Sequence, residues 1–83
     1  MKQLIYFSAG WCDSCQSTTP IIDTLKKSKT IEIAKVDTDY DISYTEGYGI
    51  KSVPTIVLLE NGKETKRHTG TFSYEQLNNF ING

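Results

Sequence analysis

Cys12 and Cys15 stand three residues apart in Trp11-Cys12-Asp13-Ser14-Cys15, and their type and spacing carry the most chemical information in the chain. An apolar run of strand length precedes them and a helical pattern follows, so the pair sits where a strand turns into a helix. Unpaired backbone N–H groups and the positive end of the helix dipole converge there and favour a thiolate at the first cysteine. The thiolate is the form that attacks a disulfide. The second cysteine, one helical turn on, reaches the first and resolves the mixed disulfide. Cys12 is therefore the expected nucleophile and Cys15 the expected resolving thiol. Asp13 and Ser14 tune the balance: the Asp13 charge opposes a neighbouring thiolate, whereas the dipole supports it.

Other readings of the pair are inert thiols or half of a metal site. A closed zinc site needs four ligands, and beyond the two cysteines the sequence offers one histidine, His68. An iron–sulfur cluster bridged between two copies is the metal reading that survives this count. A structural staple is disfavoured, because crosslinking so short a loop removes little entropy from the unfolded chain. Two cysteines are also too few for a disulfide scaffold.

The elements that must position the pair follow from periodicity and turn chemistry. Lys2 to Phe7 is an apolar strand, broken by Ser8-Ala9-Gly10. A helix is predicted from about Cys12 or Asp13 to Ser28. Ile21, Ile22 and Leu25 share one face, Lys26, Lys27 and Lys29 lie near its C-terminal end, and Pro20 interrupts its hydrogen bonding. Thr30 to Asp37 is the second strand. Asp39 or Asp41 caps a short helix that runs through about Glu46 and is ended by Gly47 and Gly49. Thr55 to Leu59 is a near-continuous apolar strand of the buried kind. Asn61-Gly62 is a strong hairpin signal leading into Lys63 to Thr69, whose polarity suits a sheet edge. Ser73 caps a last helix, with Glu75-Gln76 in its first turn and Leu77, Phe80 and Ile81 on its apolar face. The fold class is therefore α/β, in the order β-α-β-α-β-β-α. Its first crossover is right-handed and parallel and its hairpin antiparallel, giving a four-stranded mixed sheet with helices on both faces.

Composition narrows the function classes. The chain has 83 residues, enough for a single domain over 1–83, with 37% apolar residues concentrated in three blocks. Nine Lys and Arg against ten Asp and Glu leave a net charge of −1, which gives nucleic-acid binding no electrostatic support. No stretch approaches the ~20 apolar residues of a membrane helix, and the first apolar block is too short for a signal peptide. A soluble cytoplasmic protein is expected.

Several features together resemble the thioredoxin family. Trp11-Cys12-x-x-Cys15 resembles its active-site segment. Pro20, five residues after Cys15, falls where the family kinks its helix, and Ala34-Lys35-Val36-Asp37 resembles its second core strand. Tyr48-Gly49-Ile50-Lys51-Ser52-Val53-Pro54-Thr55 resembles the segment ending in the family's cis-proline. Asn61-Gly62-Lys63 matches its hairpin and Gly70 the glycine before its last helix. The resemblance spans Lys2 to Ile81. It implies a thioredoxin-like sheet of strand order 2-1-3-4 and a thiol–disulfide oxidoreductase that reduces protein disulfides. It also implies a flavoprotein disulfide reductase as electron donor, a monomer, and no cofactor or metal beyond the redox-active Cys12–Cys15 disulfide. Trp11, Val53, Pro54 and Gly70 would contact the client. A cis Val53–Pro54 bond would expose the Val53 backbone to an extended peptide, and the proline ring would keep metal from the dithiol.

Three departures stand out. The chain begins at the strand leading into the cysteines, without the family's extra N-terminal strand and helix, so one sheet edge is expected to lose its cover. The family's buried aspartate, six residues before the first cysteine, is Tyr6 here. A phenol is a poor base near neutral pH, and Lys35 keeps the position of the lysine that accompanies that acid. The inner pair is Asp13-Ser14 rather than Gly-Pro. A glutathione-linked, glutaredoxin-like reductase is a second reading, although His68-Thr69-Gly70-Thr71-Phe72-Ser73 stands where glutaredoxins carry a Gly-Gly…Asp signature. A thioredoxin-fold binding or assembly subunit is a third. Trp11 is expected at the surface beside the thiols and His68 in solvent. Tyr40, Tyr44, Tyr48 and Tyr74 should cover the core, and Lys66-Arg67 should form an exposed face.

Overall fold

A computed structural model describes residues 1–83. Seven elements follow in the predicted order: β1 (Lys2–Ser8), α1 (Cys15–Ser28), β2 (Glu32–Asp37), α2 (Ile42–Gly47), β3 (Thr55–Glu60), β4 (Lys63–Thr69) and α3 (Tyr74–Asn82). The four strands form one sheet of order β2-β1-β3-β4. β1 runs parallel to β2, with Leu4 opposite Ile33, and antiparallel to β3, with Leu4 opposite Leu58. β3 and β4 are antiparallel.

Period-two alternation divides the apolar residues between two faces. Leu4, Tyr6, Ile56 and Leu58 point to one face, where Ile22 and Leu25 of α1 and Leu77 and Ile81 of α3 cover them. Ile5, Phe7, Val36, Val57 and Leu59 point to the other, against Tyr48, Ile50 and Val53. Tyr44 of α2 stacks on Phe7 there, with ring centroids 6.2 Å apart. Both central strands are buried on both faces, which is why β1 and β3 read as unbroken apolar runs. The edge strand β4 is polar and mostly exposed. Between Leu58 and Leu59 the β3–β4 register slips, leaving Thr65 as the extra residue of a bulge.

Local chemistry sets most boundaries. Asn61 and Gly62 both adopt positive φ, 54° and 83°, as a two-residue turn matched to strand twist requires. Ser73 caps α3 in a reciprocal box: its hydroxyl accepts from the Gln76 N–H, and the Gln76 side chain accepts from the Ser73 N–H. Three boundaries differ from expectation. α1 begins at Cys15, because residues 9–14 are taken up by tight turns: the Cys12 N–H donates to the Ala9 carbonyl, and the Cys15 N–H to the Cys12 carbonyl. β2 begins at Glu32 rather than Thr30, because Lys29 closes α1 in the left-handed conformation and the chain needs two more residues to straighten. Neither Asp39 nor Asp41 caps α2 through its side chain. The Asp37 carboxylate shapes that turn instead, accepting from the Asp39 N–H at 2.9 Å.

Candidate active site

The cysteines lie at the C-terminal end of β1, in the turn that leads into α1. Cys12 and Cys15 are joined as a disulfide, with Cα atoms 5.3 Å apart. Both are buried and form a small cluster with Ala9 and Val53. The Cys15 N–H donates to Cys12 Sγ at 3.1 Å, so a backbone donor at the start of α1 already addresses the first sulfur. A negative charge developing on Cys12 would meet that donor and the helix dipole together. The second sulfur belongs to the first residue of the helix.

Two hollows flank the pair. A cavity of about 350 Å³ is lined by Ala9, Gly10, Cys12, Cys15, Gln16, Thr19 and Pro20. A smaller one of about 90 Å³ involves Trp11, Thr38, Ile50 and Val53 among its walls. A larger hollow of about 670 Å³ lies at the opposite end of β1, between Lys2, Lys26, Lys29 and Ile33, and holds neither cysteine.

Trp11 is 69% exposed, so it presents its ring to solvent next to the thiols rather than packing on the sheet. The Val53–Pro54 bond is cis, and Val53 packs against the cysteine cluster. The loop carrying it is held at both sides: the Thr55 hydroxyl donates to the Ser52 carbonyl at 2.7 Å, and the Gly70 N–H to the Pro54 carbonyl at 2.8 Å. Gly70, with φ of 105°, thus joins the same surface. Asp13 and Ser14 are both exposed in the turn between the cysteines.

Tyr6 and Lys35 are drawn to separate partners. Tyr6 is fully buried, and its hydroxyl lies 2.7 Å from Thr18 Oγ1 and 2.8 Å from Thr19 Oγ1. Lys35 is exposed and its ammonium pairs with Asp23 of α1 at 2.8 Å. Sequence reasoning missed Thr18 and Thr19, although they stand three and four residues after Cys15, the spacing that brings helical side chains to one face. It also placed His68 in solvent. His68 is half-buried, with Nε2 3.0 Å from the Thr71 carbonyl and its ring edge-on to Phe72 and Phe80. Phe72 and Phe80 cover part of its ring on the α3 side, where the three residues line a hollow of about 220 Å³. The tyrosines divide: Tyr44 and Tyr48 pack with Phe7, whereas Tyr40 is 86% exposed and covers no core. No three His, Cys, Asp or Glu side chains converge as a metal-binding group, and no helix is long and apolar enough to cross a membrane.

The thioredoxin family model matches residues 1–83. A thioredoxin of Chlamydia caviae is 36% identical over 80 residues, covering 95% of this chain and 78% of that protein. A thioredoxin of Rickettsia felis is 35% identical over 81 residues, covering 95% and 77%. Among solved structures, a Fasciola hepatica thioredoxin superposes with a TM-score of 0.89 at 30% identity, covering 98% of this chain and 78% of that one. A mutant thioredoxin from Halobacterium salinarum gives 0.90 at 31% identity, covering 96% and 71%.

Proposed function

Because the chain belongs to the thioredoxin family and is a thiol–disulfide oxidoreductase, we propose that it reduces protein disulfides with Cys12 as attacking thiolate and Cys15 as resolving thiol. The observation that carries this assignment is the Cys15 N–H bond to Cys12 Sγ at the start of α1, which favours charge on the first sulfur. The Cys12 thiolate attacks one sulfur of the client disulfide. A Cys12–client bond forms, and the other client sulfur leaves with the electron pair and takes up a proton. Cys15 then loses its proton and attacks Cys12 Sγ, which closes the Cys12–Cys15 disulfide and releases the second client thiol. Two electrons and two protons from a donor restore the dithiol.

Trp11, Val53 and Gly70 form the surface that receives the client, an exposed aromatic ring, a loop residue at a cis bond and a glycine without a side chain framing the cysteines, while Pro54, expected to touch the client, is fully buried and acts by setting the cis bond that presents Val53. Asp13 and Ser14 adjust the first sulfur from the intervening turn. The electron donor is a flavoprotein disulfide reductase, and the protein works as a cytoplasmic monomer.

The test is turnover. With dithiothreitol as reductant, the wild type accelerates insulin reduction and Cys12→Ser abolishes the acceleration; prereduced Cys15→Ser, freed of dithiothreitol before the client is added, accumulates a covalent Cys12–client adduct. Insulin reduction by the Cys12→Ser protein at the wild-type rate would overturn the assignment. Reoxidation followed with NADPH and a flavoprotein reductase, against glutathione with its own reductase, identifies the donor.

A further inference from the structure

The side chain of His68, near the end of β4, folds over the turn that follows the strand. Its Nε2 lies 3.0 Å from the Thr71 carbonyl. A carbonyl only accepts, so this partner assigns the tautomer: Nε2 carries the proton and donates it. The ring is held in that pose by two neighbours, edge-on to Phe72 at 6.1 Å and to Phe80 at 6.5 Å between centroids. Its backbone is fixed as well, because His68 pairs with Ile56 in the β3–β4 ladder. A residue anchored in the sheet thus holds the carbonyl of a residue in the turn.

Gly70 lies inside the segment that this bond closes. It adopts a φ of 105°, and a glycine has no side chain of its own to hold it there. Its N–H donates to the Pro54 carbonyl at 2.8 Å. The residue before that proline, Val53, packs against the cysteine cluster. We infer that His68 is a positioning residue for the client surface: by fixing the Thr71 carbonyl it keeps Gly70 in the conformation whose N–H meets Pro54, and so keeps Val53 in place beside the cysteines. The links run from His68 Nε2–H through Thr71 and Gly70 to Pro54 and Val53. His68, Thr71 and Gly70 all lie outside the cysteine cluster. Loss of the His68 bond therefore weakens the hold on a client and leaves the thiol–disulfide exchange, with its electrons and protons, as it was. This inference rests on the assignment of Val53 and Gly70 to the surface that receives the client.

The test uses the full chain, prereduced and freed of dithiothreitol. Initial rates of insulin reduction are measured against insulin concentration, and hydrogen exchange of the Gly70 amide is followed by NMR. His68→Phe keeps an aromatic ring beside Phe72 and Phe80 and removes the donor. Its half-saturating insulin concentration should rise about two- to tenfold, the factor that one net hydrogen bond is worth. The maximal rate should stay at the wild-type value, as for a loss of uniform binding. Exchange of the Gly70 amide should accelerate, because its bond to Pro54 opens more often. His68→Gln supplies an N–H donor again and should recover both readouts. Reduction of hydroxyethyl disulfide, too small to use the surface, should be the same in all three proteins. An unmoved half-saturation or an unmoved Gly70 exchange in folded His68→Phe protein overturns the inference. So does a His68→Gln protein as impaired as His68→Phe, since ring packing and not donation would then carry the effect, and so does slower reduction of hydroxyethyl disulfide, which would put His68 in the exchange chemistry. One measurement needs no variant: the ring nitrogen shifts of neutral His68 in the wild type should place the proton on Nε2, and a proton on Nδ1 removes the first link. A wild type that does not reduce insulin defeats the assignment of the cysteines and this inference with it; wild-type turnover with unmoved variants defeats the role of His68 alone.

Discussion

The backbone N–H of Gly70 donates to the carbonyl of Pro54 at 2.8 Å, tying the end of β4 to the loop that sets Val53 against the cysteines. Gly70 makes this bond at a φ of 105°, a region side chains avoid, and a Cβ there would meet nothing within 4 Å. The cost of Gly70→Ala is therefore backbone strain and not a clash, about 1–3 kcal/mol. Urea unfolding should show a lower midpoint with an unchanged slope. The insulin KM should rise, since the loop beside Cys12 loses its anchor.

Removing the cap of α3 isolates a different term. Ser73→Ala leaves the Gln76 N–H without its partner and frees the Gln76 side chain. A loss of about 0.5–2 kcal/mol is expected from urea titration. Activity per folded molecule should be unchanged, because α3 packs on the α1 face of the sheet and lies outside the turn that holds the cysteines.

Leu58→Ala tests the central core. Leu58 is fully buried opposite Leu4 on β1. Truncation should cost about 2–5 kcal/mol, a large share of the roughly 5–15 kcal/mol that stabilises an ordinary domain. Differential scanning calorimetry should show the largest fall in Tm of these variants.

Trp11→Ala should do the reverse. An indole that is 69% exposed contributes little to folding, so stability should stay within about 0.5 kcal/mol of wild type. On the proposed role of the ring in client contact, the insulin KM should rise with little change in kcat.

Glu64 and Arg67 supply a pH signature. Arg67 holds Glu64 through Nε at 2.7 Å and through a second nitrogen at 2.8 Å, and also donates to the Tyr48 carbonyl. These hydrogen bonds lower the Glu64 pKa, against a smaller opposing effect of burial. A lowered carboxyl contributes stability that is present above its unfolded value and lost as pH falls through its folded value. With both side chains about a third exposed, the contribution should be below about 1 kcal/mol and weaken in high salt. Glu64→Gln should flatten this part of the acid limb of a stability–pH curve. An acid limb indistinguishable from wild type in that variant would remove the pair from the account.

The legible parts of this protein were those governed by neighbours in the chain. The Asn61-Gly62 turn, the Ser73 cap, Pro20 inside α1 and the twofold burial of β3 each follow from a residue and its immediate surroundings. The strand order came from the family resemblance rather than from periodicity. The illegible parts depend on which surface meets which. Nothing in the sequence says that the Tyr6 hydroxyl meets Thr18 and Thr19, since α1 must first settle on β1. The same holds for His68, whose two phenylalanine neighbours arrive from beyond β4. The start of α1 was displaced for a subtler reason. Three-residue turns at residues 9–15 imitate the hydrogen bonding of a helix without its dihedral repeat.

The pairing of β1 with β3 has a consequence for biogenesis. Of the seven elements β1 is synthesised before the others, and its antiparallel partner starts only at Thr55, after α1, β2 and α2 have been made. Until that partner arrives, Tyr6 and Leu4 have one covered side and the cysteine turn has no Val53 beside it. The nascent chain thus carries a dithiol before it carries an active site, and a domain of this kind closes as a unit. Oxidation of Cys12 and Cys15 in that interval would join two residues of an unfinished chain, whereas Val53 and its anchor at Gly70 reach the cysteine turn only when synthesis has passed β4.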